Sequence, residues 1–228
     1  MPAANVIQLR QLLKEKMPQL RVGVEELAAR HQNHWPTGIP QLDQSLNGGL
    51  PRGALSEVIS PKRSSGSALL RDALLARAAA EKQIVAFIDG RDSLDVTAME
   101  ETTLERLLWV RSRSAEESLK AADIILRDRN LTLVILDLML NSPAELRRIP
   151  ATTWFRFQRI LEQGTTVCMV LTPYPKVAPA QARITISSSV RTLADLNAGA
   201  EPLLSDLKLE VSDARHLQET NRQMLGTA

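Results

Sequence analysis

The chain has 228 residues, 44% hydrophobic and 24% charged, enough to bury one sizeable core. Its 28 Lys and Arg against 26 Asp and Glu leave a net charge of +2, which excludes a strong global pull toward nucleic acid and leaves room only for local basic patches. One cysteine, Cys168 in TTVCMVLT, excludes a disulfide-stapled exported protein and reads as a small core hydrophobe.

Val6, Leu9, Leu12, Leu13 and Met17 draw an apolar stripe along a short amphipathic helix, and Pro18 disfavours helix at Met17. Residues 1–33 therefore read as an amphipathic arm and linker, packed on this core or on a partner. No run reaches the roughly 18 apolar residues of a membrane span, so a soluble, cytoplasmic protein is expected. His31 and His34 have no third ligand nearby, and no metal is expected.

From His34 the chain is punctuated by Asn47-Gly48-Gly49 and Pro51-Arg52-Gly53, with a short helix at 41–46 and a strand at 54–59. Trp35, ahead of Pro36, is expected to be a partly exposed aromatic, whereas Trp109 and Trp154 read as packing residues. Asp43 and Asp89 fall where a carboxylate caps a turn or holds a loop. Helices at 67–80, 96–104, 115–127 and 154–163 alternate with strands at 84–89, 106–111, 131–138 and 165–172. Continuous apolar runs such as IVAFID and LTLVILDL suit strands buried on both faces, so the pattern predicts a mostly parallel sheet with helices on both sides. ARITISSS (182–189) and LKLEVSDAR (207–215) read as added edge or antiparallel strands. The core is placed at 34–215, with a polar tail at 216–228.

EVISPKRSSGSALL (57–70) runs from strand through a small-residue loop into helix, where a phosphate-binding loop would sit. Such a loop, GxxxxGK followed by Ser or Thr, uses glycines to converge backbone N–H groups on phosphate, a lysine to neutralise it and a hydroxyl to hold magnesium. Here Ser60 stands for the first glycine and Gly66 for the second, while Ser67 replaces the lysine and Ala68 the hydroxyl. Lys62, Arg63 and Ser65 lie within the loop, away from the helix end where the lysine reaches the outer phosphates.

TGIPQLDQSLNGGLPRGALSEVISPKRSSGSALL, followed by IVAFIDGRDSLD, resembles the RecA recombinase core over roughly residues 35–95. The resemblance implies an α/β, RecA-like, phosphate-loop type core with an N-terminal helical arm. It also implies that the base position two past the FID aspartate is Arg91, which cannot accept a proton, and that Asp137 in LVILDL is the acidic residue of the metal-side strand. In the family, DNA is held by two mobile loops; here those gaps are NSPAELRRIPATT and PYPKVAPAQ, short and, in the second, stiffened by prolines. Arg147, Arg148, Arg156, Arg159, Lys176 and Arg183 form either a nucleic-acid patch or a solvated helix face.

RLLWVRSRSAEESLKAADIILRDRN (106–130), with the worn loop and the chain length, is further similar to ImuA-type RecA paralogues of bacterial damage-induced (SOS) mutagenesis and translesion synthesis. That likeness implies a non-catalytic accessory protein without nucleotide cofactor. Its contacts would be with a RecA-type recombinase or with an inactive Y-family polymerase homologue, and with DNA directly or through the partner. Two alternatives stand beside it: a divergent DNA-dependent ATPase of recombination using ATP, magnesium, Lys62 or Arg63, and Asp137; and a DNA-binding accessory without nucleotide.

Overall fold

The computed structural model describes residues 33–62, 65–97, 99–187 and 200–213. The arm stripe (Val6 to Met17), Arg63 and the tail at 216–228 lie outside them. A two-residue ladder pairs β1 (His34–Trp35) antiparallel with β2 (Leu50–Pro51), around helix α1 (Pro40–Ser45). Asp43 of α1 accepts from Thr37 N (2.8 Å), Thr37 Oγ1 (2.7 Å) and Gly38 N (3.1 Å), which fixes the turn between β1 and α1. The TG and LD residue pairs of the sequence are thus one hydrogen-bonded unit.

The main sheet has seven strands: β3 (Ala54–Ile59), β4 (Val85–Asp89), β5 (Leu107–Arg111), β6 (Leu133–Asp137), β7 (Val167–Thr172), β8 (Ala182–Ser187) and β9 (Lys208–Asp213). Their order is β5-β4-β6-β7-β3-β8-β9, parallel throughout except that β9 runs antiparallel to β8. Every residue of β3, β4, β6 and β7 is buried, as the continuous apolar runs require. Between them run α2 (Ser67–Ala80), α3 (Glu101–Leu104), α4 (Ala115–Asp128), α5 (Pro143–Arg148), α6 (Ala151–Leu161) and α7 (Ala200–Ser205). Leu70, Leu74, Leu75 and Ala78 of α2 close one face of the sheet; Ala122 and Leu126 of α4 and Trp154, Phe157 and Leu161 of α6 close the other. Among the described residues no helix is long and apolar enough to cross a membrane.

The architecture is the expected parallel α/β core, with four local differences. The gap 141–153 contains α5, because Ser142 and Glu145 form a capping box and Pro143 opens the helix; α6 accordingly starts at Ala151. The helix expected at 96–104 is only α3, since Thr97 N and Oγ1 both bond Asp95 Oδ1 and hold a turn in its place. Helix α7 carried too little periodic signal to be read. Trp35 is fully buried, its Nε1 donating to Gln83 Oε1 at 2.9 Å, and the exposed aromatic is Phe155 of α6 at 56%.

Candidate functional site

The sheet order sets β7 between β3 and β6, so the loop leaving β3 and the carboxylate ending β6 are two strand spacings apart, about 10 Å. This is the crevice at the carboxyl ends of the strands where open α/β sheets place their ligands. Gly66 and Asp137 keep their places there, while the lysine, hydroxyl and base positions are taken by Ser67, Ala68 and Arg91.

The loop is closed on itself. Ser65 Oγ donates to the Lys62 carbonyl at 2.6 Å and is hydrogen bonded to the Ser60 hydroxyl, which itself lies 3.4 Å from that carbonyl. Five residues separate Ser60 from Gly66, one more than the phosphate-loop pattern holds, so Ser60 is not a simple replacement of the first glycine. Gly66 keeps the left-handed turn into α2 (φ 103), and Leu207, ahead of β9, packs so closely on it that a Cβ there would lie 2.3 Å from Leu207 Cδ2. Ser67 and Ala68 follow as the first residues of α2. Neither can extend a cation toward an outer phosphate.

At the end of β6, Asp137 is nearly enclosed, and its Oδ1 accepts from Met139 N at 2.9 Å. Burial pushes its carboxyl up to about 6, with the Met139 amide and the Arg71 guanidinium pulling it down and the charge of Asp89 adding to the rise. Arg71, one turn into α2, was not singled out by sequence reasoning, because a cation in an amphipathic helix ordinarily faces water. It is buried: Nε donates to Asp72 Oδ1 at 2.7 Å, Nη1 lies 4.0 Å from Asp137 Oδ2, and the guanidinium sits 5.4 Å over the Phe87 ring.

The base position is likewise committed. Arg91 directs its guanidinium to the Arg113 carbonyl (3.2 Å) and Glu145 Oε2 (2.6 Å), tying the end of β4 to α5. The Ser142 amide holds the Glu145 carboxyl below the usual carboxylate range, against partial burial and with help from the Ser142 hydroxyl and the Arg91 charge. Asp89 is fully buried and accepts from the amides of Arg91, Ser93 and Leu94 and from the Ser93 hydroxyl, so it holds the loop after β4. Among the described residues, those at the lysine, hydroxyl and base positions do not fit magnesium and ATP.

A profile of the RecA N-terminal domain matches residues 14–146, more than half of the chain. The chain belongs to that family. It is 33% identical over 121 residues to the protein RecA of Methylococcus capsulatus (52% of this chain, 34% of that protein) and 36% over 104 residues to RecA of Rubrobacter xylanophilus (44% and 30%). The chain thus spans about a third of the length of these curated relatives. The crystal structure of the RadB recombinase superposes with a TM-score of 0.54 at 15% identity, covering 68% of this chain and 84% of that one, a likeness of fold.

Within this RecA-type domain, the basic residues singled out in the sequence are not one surface. Arg183 donates through Nε to Glu57 Oε2 (2.8 Å) and through Nη2 to the Val177 carbonyl (3.1 Å), so it is consumed internally. Arg156 is paired with Asp123 of α4 at 3.0 Å. Lys176 is half-buried, its amide bonded to Glu57. Arg147 and Arg148 on α5 and Arg159 on α6 are exposed and have no ionic partner among the described residues.

One feature at this end of the sheet lay beyond sequence reasoning. Glu57, fully buried in β3, accepts from Thr172 Oγ1 (3.1 Å) and from the amides of Lys176 (2.6 Å) and Val177 (2.9 Å), besides Arg183. It fastens the loop after β7, the position of the family's second DNA loop. The V-R-S-R-S turn is equally structural: Ser112 Oγ donates to the Asp89 carbonyl at 2.9 Å, and Ser114 caps α4 by accepting from Glu117 N.

Proposed function

We propose that this RecA-type domain is a non-catalytic accessory of bacterial DNA repair, similar in role to ImuA-type paralogues and acting through protein contacts with a recombinase or a translesion polymerase complex. The observation that carries the reading is the content of the crevice: a self-bonded serine loop, an alanine at the hydroxyl position, an arginine facing the carboxylate and a second arginine at the base position. Among the described residues, none stands as a cation at the lysine position, a hydroxyl at the next or an acceptor at the base position, which supports this reading.

The scaffold meanwhile presents a surface suited to association. Among the described residues, strand β5 pairs with β4 alone and is an edge of the sheet. Leu108 is 46% exposed on that edge, on the same sheet face as Ile84 (53%), and Ile124 of the covering helix α4 is 71% exposed. An open edge with apolar side chains beside it takes an added strand from a partner. The expected result is that Leu108→Asp abolishes co-purification of the partner from cells while leaving the thermal melt of the domain within about 2 °C of wild type, since a half-exposed edge residue contributes little to stability. Undiminished recovery of the partner would remove β5 from the interface.

A further inference from the structure

We propose that Arg71 is a cation built into the fold, standing where a phosphate loop relies on its lysine and metal ion, so that the Asp137 carboxylate has a counter-charge with no ligand in the crevice. This rests on the nucleotide-free reading above and adds the residue that makes it work. A carboxylate as enclosed as Asp137 must be protonated or neutralised by a neighbour. The groups that face it are few: Arg71 and, beyond it, Asp72 from α2, and Asp89 from β4, whose oxygens are already taken by the amides of residues 91, 93 and 94. From one turn inside α2, Arg71 leans back toward the helix N-terminus, as helical side chains do. Asp72 holds its Nε and the Phe87 ring lies under its plane, so the charge is fixed in direction as well as in place.

The pH dependence separates this role from mere packing. Burial pushes the Asp137 carboxyl from its ordinary 3.8 up to about 6, so the folded state holds the extra proton between these values and stability falls as pH rises through that window. Above it Asp137 is ionised and depends on Arg71; below it Asp137 is neutral and does not. Thermal melts of wild type, Arg71→Met, Asp137→Asn and the double variant, each near pH 8 and near pH 4.5 and with and without millimolar magnesium and ATP, test the proposal. Arg71→Met is expected to lower the melting temperature at the higher pH by on the order of 5 °C and clearly less at the lower, and Asp137→Asn to recover most of that loss. An equal loss at both pH values, or no recovery in the double variant, would overturn the built-in cation and leave the nucleotide-free reading standing. A rise of the wild-type melt with magnesium and ATP would overturn both.

Discussion

Glu57→Ala is expected to destabilise the domain by about 3–5 kcal/mol, the cost of breaking a buried ion pair from one side. The carboxylate is fully buried at the middle of the sheet and receives four donors from three segments: Thr172 ending β7, the amides of Lys176 and Val177, and Arg183 of β8. Removing it leaves two backbone amides and a guanidinium without their acceptor. Glu57→Gln keeps one accepting oxygen and is expected to cost roughly half as much. In a denaturant titration the alanine variant should show a lower midpoint; in hydrogen exchange the Lys176 and Val177 amides should lose protection first. Unchanged protection there would mean that the loop is held by something other than Glu57.

The second large effect is expected at Gly49. It sits at φ 121, and a Cβ on it would lie 2.1 Å from the Trp35 carbonyl oxygen and 2.8 Å from Pro36 Cα. These are backbone atoms of the strand paired with β2 through Trp35 and Leu50, so relief requires the ladder to part and the buried Trp35 to shift. Gly49→Ala should therefore cost about 2–4 kcal/mol, by left-handed strain and steric conflict together. Gly164→Ala is the matched control: its Cβ would meet nothing nearer than Arg129 at 3.9 Å, and a change within about 0.5 kcal/mol is expected. Equal effects at the two positions would contradict the packing described around Trp35.

These two residues also show what the family resemblance consists of. The TG, LD and GGLP text matches RecA because Asp43 must reach Thr37 and Gly38, and because Gly49 must let the chain pass Trp35. Such constraints come from the fold and persist whatever the crevice does. The residues whose only duty is to phosphate, metal or water carry no such constraint, and they are the ones that differ. Sequence reasoning could therefore read the parallel sheet and its buried strands directly, whereas the replacements at Ser67, Ala68 and Arg91 are what the family resemblance implies.

It could not read what replaced them. Arg71 and Glu57 look like ordinary polar positions of an Ala-rich helix and a short strand, and their meaning depends on Asp137, Phe87 and Arg183, which lie 66, 16 and 126 residues away along the chain from their respective partners. Trp35 was misjudged for the same reason: the proline after it signals a turn, while the burial comes from a ladder and from Gln83 on the far side of α2. Helix α5 was legible in principle, since Ser142 and Glu145 stand at capping-box spacing just after a strand. The six basic residues dissolved into one internal pair, one surface pair, a half-buried lysine and three exposed arginines because charge along the chain says nothing about where neighbouring carboxylates fold.

The most direct measurement of the central claim is a calorimetric titration of the purified domain with ATP in the presence of magnesium. A phosphate loop in use would give saturable heat and, at a hundredfold excess over its dissociation constant, about 2.7 kcal/mol of added stability. No saturable heat is expected up to millimolar ATP. Saturable binding that Asp137→Ala abolishes would contradict it, and would mean that the serine loop opens and that Arg71 yields its place to a ligand.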